Sequence, residues 1–309
     1  MRAALNKTLL AAVVLLPPAA AWANPFGFGG EPKSDLYVDP QPVVIEGYDG
    51  VAMEPFISPD GRFLFFNNSN DRRVRTTIRF ARRTGLLTFR YLGELPGVNA
   101  EGLSAVPSLD LQGRFYFTTL REYPRTLKSV YVGAFDGERV IGAGPVEGEI
   151  WPRHLGAVDL DVGISLDGDS MYISRARFIP FVPLPAPIAS RLMVARRRQG
   201  RFELDARSDE LLGKVNRGGL VYAPAVSPDG RELYFTRASF PAGMRVLVAT
   251  RAAEGEPFGE PRVLSALSGK VEAPSVSSDL QELFFHKDVG GRWKIFRARR
   301  NEAARRADR

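Results

Sequence analysis

Ala225-Val226-Ser227-Pro228-Asp229-Gly230-Arg231-Glu232-Leu233-Tyr234-Phe235 places a tight turn between two apolar runs. Proline presets φ at the second turn position, Ser and Asp side chains can bond nearby backbone amides, and Gly tolerates φ > 0, so one strand ends there and another begins. Pro224, Ala225 and Val226 precede the turn, and an aromatic and β-branched run from Leu233 to Thr236 follows it. The unit reads as a hairpin whose second strand is apolar on both faces, as a sheet packed on two sides requires.

The same pattern recurs. Pro55-Phe56-Ile57-Ser58-Pro59-Asp60-Gly61 leads into Phe63-Leu64-Phe65-Phe66, and Pro107-Ser108-Leu109-Asp110-Leu111-Gln112-Gly113 into Phe115-Tyr116-Phe117. Val162-Gly163-Ile164-Ser165-Leu166-Asp167-Gly168 leads into Met171-Tyr172-Ile173, and Pro274-Ser275-Val276-Ser277-Ser278-Asp279-Leu280 into Leu283-Phe284-Phe285, with Leu280 where the others have Gly. The markers Ser58, Asp110, Ser165, Ser227 and Ser277 are 52, 55, 62 and 50 residues apart, a period that belongs to propellers and arrays.

A third strand-like run aligns in every unit, at Thr77 to Arg82, Val130 to Ala134, Leu192 to Arg196, Val246 to Arg251 and Lys294 to Arg299. A fourth follows in the first four, at Leu86 to Phe89, Glu138 to Ile141, Arg201 to Leu204 and Arg262 to Leu264. The last unit has none of its own, whereas the extended segment Pro42 to Glu46 ahead of the first unit is unused. The expectation is an all-β chain, a single β-propeller of five four-stranded blades, or six with a degenerate copy. The N-terminal strand supplies the last blade's outer strand, so that no sheet edge is bare at the seam.

The repeat resembles the TolB-like, WD-type propeller repeat of exported bacterial proteins, with its Pro-x-x-Ser-Pro-Asp-Gly followed by an aliphatic-aromatic strand. The resemblance covers roughly Met53 to Arg299. It implies a propeller and leaves function open, since propellers host binding modules and enzymes alike. TolB has a separate α/β domain ahead of its propeller; here only about 30 residues separate the leader from the first motif, too few for such a domain.

Residues 1–23 read as a cleavable signal peptide: Arg2 and Lys7 form a positive start, Leu9 to Leu16 an apolar core too short to span a bilayer, and Ala21-Trp22-Ala23 a cleavage site. The expected product is soluble, periplasmic or secreted, cut after Ala23 and without a transmembrane anchor. It divides into a linker at 24–41, the propeller at 42–300 and a charged tail at 301–309. With no cysteine, neither a disulfide nor lipid attachment at a processed Cys is available.

The formal charge of +7 falls to +5 when the leader takes Arg2 and Lys7 with it, and arginine outnumbers lysine 35 to 7. The clusters at Arg72, Arg73, Arg75, Arg79, Arg82, Arg83 and at Arg196 to Arg198 superficially suggest a nucleic-acid stripe. An exported chain without interleaved aromatic and basic residues fits an anionic envelope surface better, so no nucleic-acid partner is expected.

In a propeller the loops joining strands two to three, and those entering the next blade, share one face, opposite the Ser-Pro-Asp-Gly turns. On the first face the stretch from Phe178 through Phe181 and Leu184 to Ile188 is apolar, stiffened by proline and longer than a hairpin needs. It is either a contact surface or a plug folded over the tunnel. Near the same face, where innermost strands begin, stand Glu54, Asp159, Asp161 and Glu272, with Glu101 slightly upstream. A ring of carboxylates there could bind a cation, an amine or a basic peptide, or could simply be solvated. A carboxylate pair is also what a glycoside hydrolase uses, and five-bladed propellers include such enzymes.

Other chemistry is thin. Two histidines, His154 and His286, and no cysteine make no zinc constellation and no thiol nucleophile. Neither a Gly-x-Ser-x-Gly elbow nor a phosphate-binding loop occurs. No metal or cofactor is expected. The reading is a non-catalytic exported propeller, monomeric, that holds a protein or cell-envelope component. Its alternative is a carbohydrate-active hydrolase or lyase working through Glu54, Asp161 and Glu272.

Overall fold

A computed structural model describes residues 31–70, 74–180, 187–239 and 241–303. The leader, residues 24–30 of the linker, Arg72, Arg73, Phe181, Leu184 and residues 304–309 lie outside the described residues. Five small sheets form a five-bladed β-propeller. Blade 1 runs Met53–Ile57, Phe63–Asn67, Ile78–Arg83, Thr88–Glu94 from the tunnel outward. Blade 2 runs Ser104–Leu109, Arg114–Thr119, Val130–Phe135, Val140–Pro145, and blade 3 Ala157–Ile164, Ser170–Arg177, Ala189–Arg198, Arg201–Leu204. Blade 4 follows with Leu220–Val226, Glu232–Ser239, Gly243–Thr250 and Arg262–Leu264; blade 5 has Val271–Val276, Glu282–Val289 and Arg292–Arg300. Each blade is antiparallel internally.

The repeated turns work as their chemistry dictates. In Ser58-Pro59-Asp60-Gly61 the Gly61 amide donates to Ser58 O (2.8 Å), the Ser58 hydroxyl donates to Asp60 (2.6 Å), and Asp60 accepts the Arg62 amide (3.0 Å). The same set recurs at Ser227/Asp229 and Ser277/Asp279. Gly61, Gly113, Gly168 and Gly230 all have φ between 67° and 77° there, and Leu280 is held at φ 60°.

The strand that closes the ring is Tyr37–Pro42, antiparallel to Arg292–Arg300, and not Pro42 to Glu46 as the sequence suggested. Val44–Glu46 instead runs parallel along Thr88–Glu94 of blade 1. The change of blade falls between two consecutive amides: Val43 donates to Ile295 O and Val44 to Leu87 O. Tyr37 decides the register, because it is fully buried whereas Val44 is exposed. Residues expected as linker are thus part of the sheets, for Lys33–Ser34 adds in parallel to Arg262–Leu264 of blade 4.

The core lies between blades, one apolar cluster at each blade-to-blade contact. Fully buried rings such as Phe65, Phe117 and Phe235 each contribute about 2 to 3 kcal/mol of burial. Across the same contacts an arginine at the end of a third strand reaches the preceding blade's second strand. Arg83 binds Glu282 through both terminal nitrogens (2.8 and 2.7 Å). Arg197 donates to the Tyr116 hydroxyl (2.6 Å), Arg251 to that of Tyr172 (3.2 Å), and Arg300 to that of Tyr234 (2.8 Å) and to Glu232 (2.5 Å). In blade 2 Phe135 takes this place, packing on Phe63 and Phe65 at 5.4 and 5.1 Å. Four of the 35 arginines, Arg83, Arg197, Arg251 and Arg300, thus hold neighbouring blades together. Among the described residues no helix is long and apolar enough to cross a membrane.

Candidate functional site at the tunnel mouth

The five innermost strands enclose a narrow tunnel of about 60 Å3, lined by Pro55, Pro107, Pro224 and Pro274, with Glu54 among the lining residues. Proline suits this strand because its missing amide would otherwise point at the lumen with no partner. Immediately before each of these prolines the strand bulges: Glu54, Val106, Ala223 and Ala273 have φ of 49°, 54°, 50° and 53°, and pairing slips by one residue. A bulge re-aims the side chains around it.

Each bulge leaves one amide out of the ladder, and the preceding blade satisfies it with a side chain. His286 Nδ1 accepts from the Glu54 amide (3.0 Å), Asn67 from Val106 (3.4 Å), Asp161 from Ala223 (3.2 Å) and Thr236 from Ala273 (2.9 Å). In blade 3 the slip comes earlier, between Asp159 and Asp161. Thr118, the counterpart on blade 2, accordingly has a hydroxyl without a partner among the described residues. Gly163 allows close approach there, since a Cβ on it would stand 2.2 Å from Pro224 O.

The bulges bring together what the sequence left out of register. Counting back from each turn serine, Glu54 and Asp161 stand four residues before it and Glu272 stands five before it. In the structure Glu54, Asp161 and Glu272 are 6%, 7% and 8% exposed and lie close enough for their charges to act on one another. Tyr222 of blade 4 donates its hydroxyl to Glu272 (2.9 Å), and Asn70 donates to Glu54 Oε1 (2.7 Å). Glu54 Oε2 is buried without a hydrogen-bond partner among the described residues.

Burial, then the charges of Asp161 and Glu272, hold the Glu54 carboxyl well above its usual range. Burial pushes Asp161 up to about 6, against the Ala223 amide and Ser174 hydroxyl, which favour its charged form. Burial pushes Glu272 up to about 7; Tyr222 and Lys270 pull it back and Asp161 adds to the rise. Burial, with Glu272 beside it, also raises the Tyr222 phenol. His286 is pushed down to about 3 by burial. Since its Nδ1 accepts, the neutral ring carries its proton on Nε2, and its edge packs on Trp293 with centroids 4.8 Å apart.

Six acids are buried among the described residues. Three are neutralised: Asp110 by Arg114 (2.6 Å), Asp159 by Arg175 (2.7 Å) and Glu282 by Arg83 and Arg297 (2.7 and 2.8 Å). The other three, Glu54, Asp161 and Glu272, have no ion pair with any described residue. Asp159 therefore leaves the list of site candidates, and so does Glu101, which is exposed. Of the long loop, Phe178 is half-buried with its amide on Gly156 O (2.7 Å), and Ile188 is 43% exposed with its amide on Arg177 O (2.8 Å). His154 is exposed. Residue-by-residue reading of the sequence missed Tyr222, Asn70 and His286. Tyr222 was findable, since it stands five residues before its turn serine, the offset that Glu272 has.

No protein-family model and no curated protein sequence matches the chain. Solved structures do. A thermostable family-43 glycoside hydrolase is similar with a TM-score of 0.56 at 15% identity, over 83% of this chain and 92% of that one. The Bacillus subtilis arabinanase Arb43A is similar with a TM-score of 0.54 at 9% identity, over 83% and 96%. TolB from Acinetobacter baumannii matches with a TM-score of 0.44 at 14% identity over 80% of this chain, which spans 54% of that protein. At such identities the likeness concerns the propeller fold.

Proposed function

We propose that this chain is an exported, non-catalytic binding propeller that takes its ligand at the tunnel mouth. One observation carries the reading. A chain with 42 basic residues clamps three of its buried acids with arginine, yet leaves Glu54, Asp161 and Glu272 together without a described basic partner. Burying a carboxyl without compensation costs several kcal/mol, and a ligand that supplies the missing partner recovers that cost on binding. The partner it belongs to is a protein or cell-envelope component, in keeping with the leader-like start of the sequence.

The test is native mass spectrometry of the mature chain after exposure to its own envelope extract, compared with the Glu54→Gln/Glu272→Gln double variant. A mass adduct carried by the wild type and absent from the folded double variant supports the reading. An adduct equal in both, or none in either, removes it.

A second reading is favoured by the acid strengths. Glu272, at about 7, is partly protonated at neutral pH as a general acid needs, while Asp161, at about 6, is mostly ionised there as a base or stabiliser needs, and the family-43 hydrolases share the fold. A carbohydrate-active enzyme would release new reducing or unsaturated ends from xylan or arabinan oligosaccharides and lose that activity in Glu272→Gln. No release sinks this reading and leaves the first standing.

A further inference from the structure

We infer that the group received at the tunnel mouth is a protonated primary amine, held by Glu54, Asp161 and Glu272. The inference rests on the mouth being the binding site and names the chemistry of what binds.

Glu54 Oε2 is the starting point. It is an oxygen on a side chain more than nine-tenths buried, Glu54 lines the tunnel cavity, and no donor of the described residues reaches it. An unmatched buried acceptor costs about 1–3 kcal/mol, so the complementary ligand group is a donor. Asp161 and Glu272 decide its charge. They add negative potential at the same point, and a neutral hydroxyl would satisfy Oε2 while leaving that potential uncompensated.

A cation satisfies both needs, and the choice among cations follows from size and shape. A small metal ion requires oxygens about 2.0–2.6 Å from one centre. Among the described residues no group of three acidic or histidine side chains converges that tightly. An ammonium accepts a wider ring, with N···O of about 2.7–2.9 Å. The acids stand on blades 1, 3 and 5, spread around the tunnel axis, which suits the three diverging N–H bonds of an ammonium. A guanidinium presents its donors as a planar fork suited to one carboxylate at a time. Tyr222 adds an aromatic ring beside the group, with its hydroxyl already committed to Glu272.

The surroundings offer no internal substitute among the described residues. Lys270 bears on Glu272 by its charge, but its Nζ is 3.3 Å from Asp288. His286 faces Glu54 through an accepting nitrogen and is neutral. Near pH 7 Asp161, at about 6, is mostly charged, whereas burial leaves protons on Glu54 and, in part, on Glu272, and an incoming ammonium displaces them. Proton release is therefore a signature that a neutral ligand would not produce.

Calorimetry on the mature chain, run near pH 7 in two buffers of different ionisation enthalpy, tests this with N-acetyl-lysine amide, its Nε-acetylated form, N-acetyl-arginine amide, propylammonium and xylotriose. The expected result is saturable binding of the lysine probe with proton release, about tenfold or more tighter than the arginine probe, and no binding of the acetylated form. Glu54→Gln weakens it by at least about 30-fold, as removal of one member of a buried charge pair does. Glu272→Gln also weakens it and releases fewer protons. Equal affinity for propylammonium supports the inference with a free small amine as the source; preference for the lysine probe supports it with a peptide side chain as the source.

Binding of the acetylated probe, or insensitivity to both substitutions, overturns the inference, as does no binding of any amine. If xylotriose binds and is lost in Glu54→Gln, the mouth remains the binding site and only the amine is wrong. If the envelope adduct persists in the double variant, the reading of the mouth itself has failed.

Discussion

At the scale of single residues, Glu272 couples the tunnel mouth to the stability of the whole chain. Its folded-state acidity is pushed up to about 7 from an ordinary 4.5, so the folded protein holds a proton that the unfolded chain has released. That contribution is fully present below the unfolded value and disappears as pH rises through about 7, with Asp161 and Glu54 acting in the same sense. On the order of 3 kcal/mol is at stake for Glu272. Urea midpoints are expected to fall between about pH 5 and about pH 8, and Glu272→Gln is expected to flatten that slope and raise the midpoint at the higher pH. A slope unchanged by the substitution would remove Glu272 as its source. Leu280 gives a second prediction. It holds φ 60° in a turn where four other blades use glycine, and that backbone region costs an L-residue about 1–2 kcal/mol. Leu280→Gly should raise stability by about 0.5–1 kcal/mol, after allowing for glycine's greater entropy when unfolded. A lower melting temperature would show that the Leu280 side chain holds the turn by packing.

At the scale of elements, the third strands do more than extend their sheets. Arg300, its side chain 3% exposed, closes the seam by binding Glu232 and the hydroxyls of Tyr234 and Tyr37 (2.8 and 3.2 Å). Arg300→Met strands Glu232 among rings and is expected to cost about 3–5 kcal/mol in urea unfolding. Arg300→Met with Glu232→Gln should recover much of it, because both halves of the pair are then neutral. Failure of the double variant to recover would mean that the arginine acts through its packing on Tyr37, 5.1 Å from the ring. The role of these arginines could not be read from composition. Arg83, Arg197, Arg251 and Arg300 look like surface charge in a sequence rich in arginine. Only the blade-to-blade contact shows that each reaches across to a neighbour 66 to 81 residues earlier, or around the seam.

At the scale of the whole molecule, the ring is closed by a segment far from the strand it completes. Tyr37–Pro42 covers Arg292–Arg300, so a chain beginning at Val43 would expose a nine-residue strand edge, and such edges pair with other copies. Size-exclusion chromatography is expected to show oligomers or aggregate for that variant and a single species for the mature chain. Equal elution would mean that another segment covers the edge. The blade count and the two-stranded unit around each turn were legible because turn chemistry is local: Ser, Pro, Asp and Gly act within about five residues, and five repeats in phase reinforce one another. The closing strand was misplaced by four to five residues because two extended segments in tandem, Tyr37–Pro42 and Val44–Glu46, both suit an outer position. The choice depended on where the Tyr37 ring is buried. The carboxylates were individually visible, yet their offsets from the turns differ, and a bulge that slips pairing by one residue is what brings Glu54 beside Glu272 and Asp161. The sequence by itself determined a repeating hairpin, a propeller and an acidic residue near the head of three inner strands. The tertiary structure alone decided which acids are neutralised by arginine and which three are left facing one another, since that depends on contacts between blades and not on order within them.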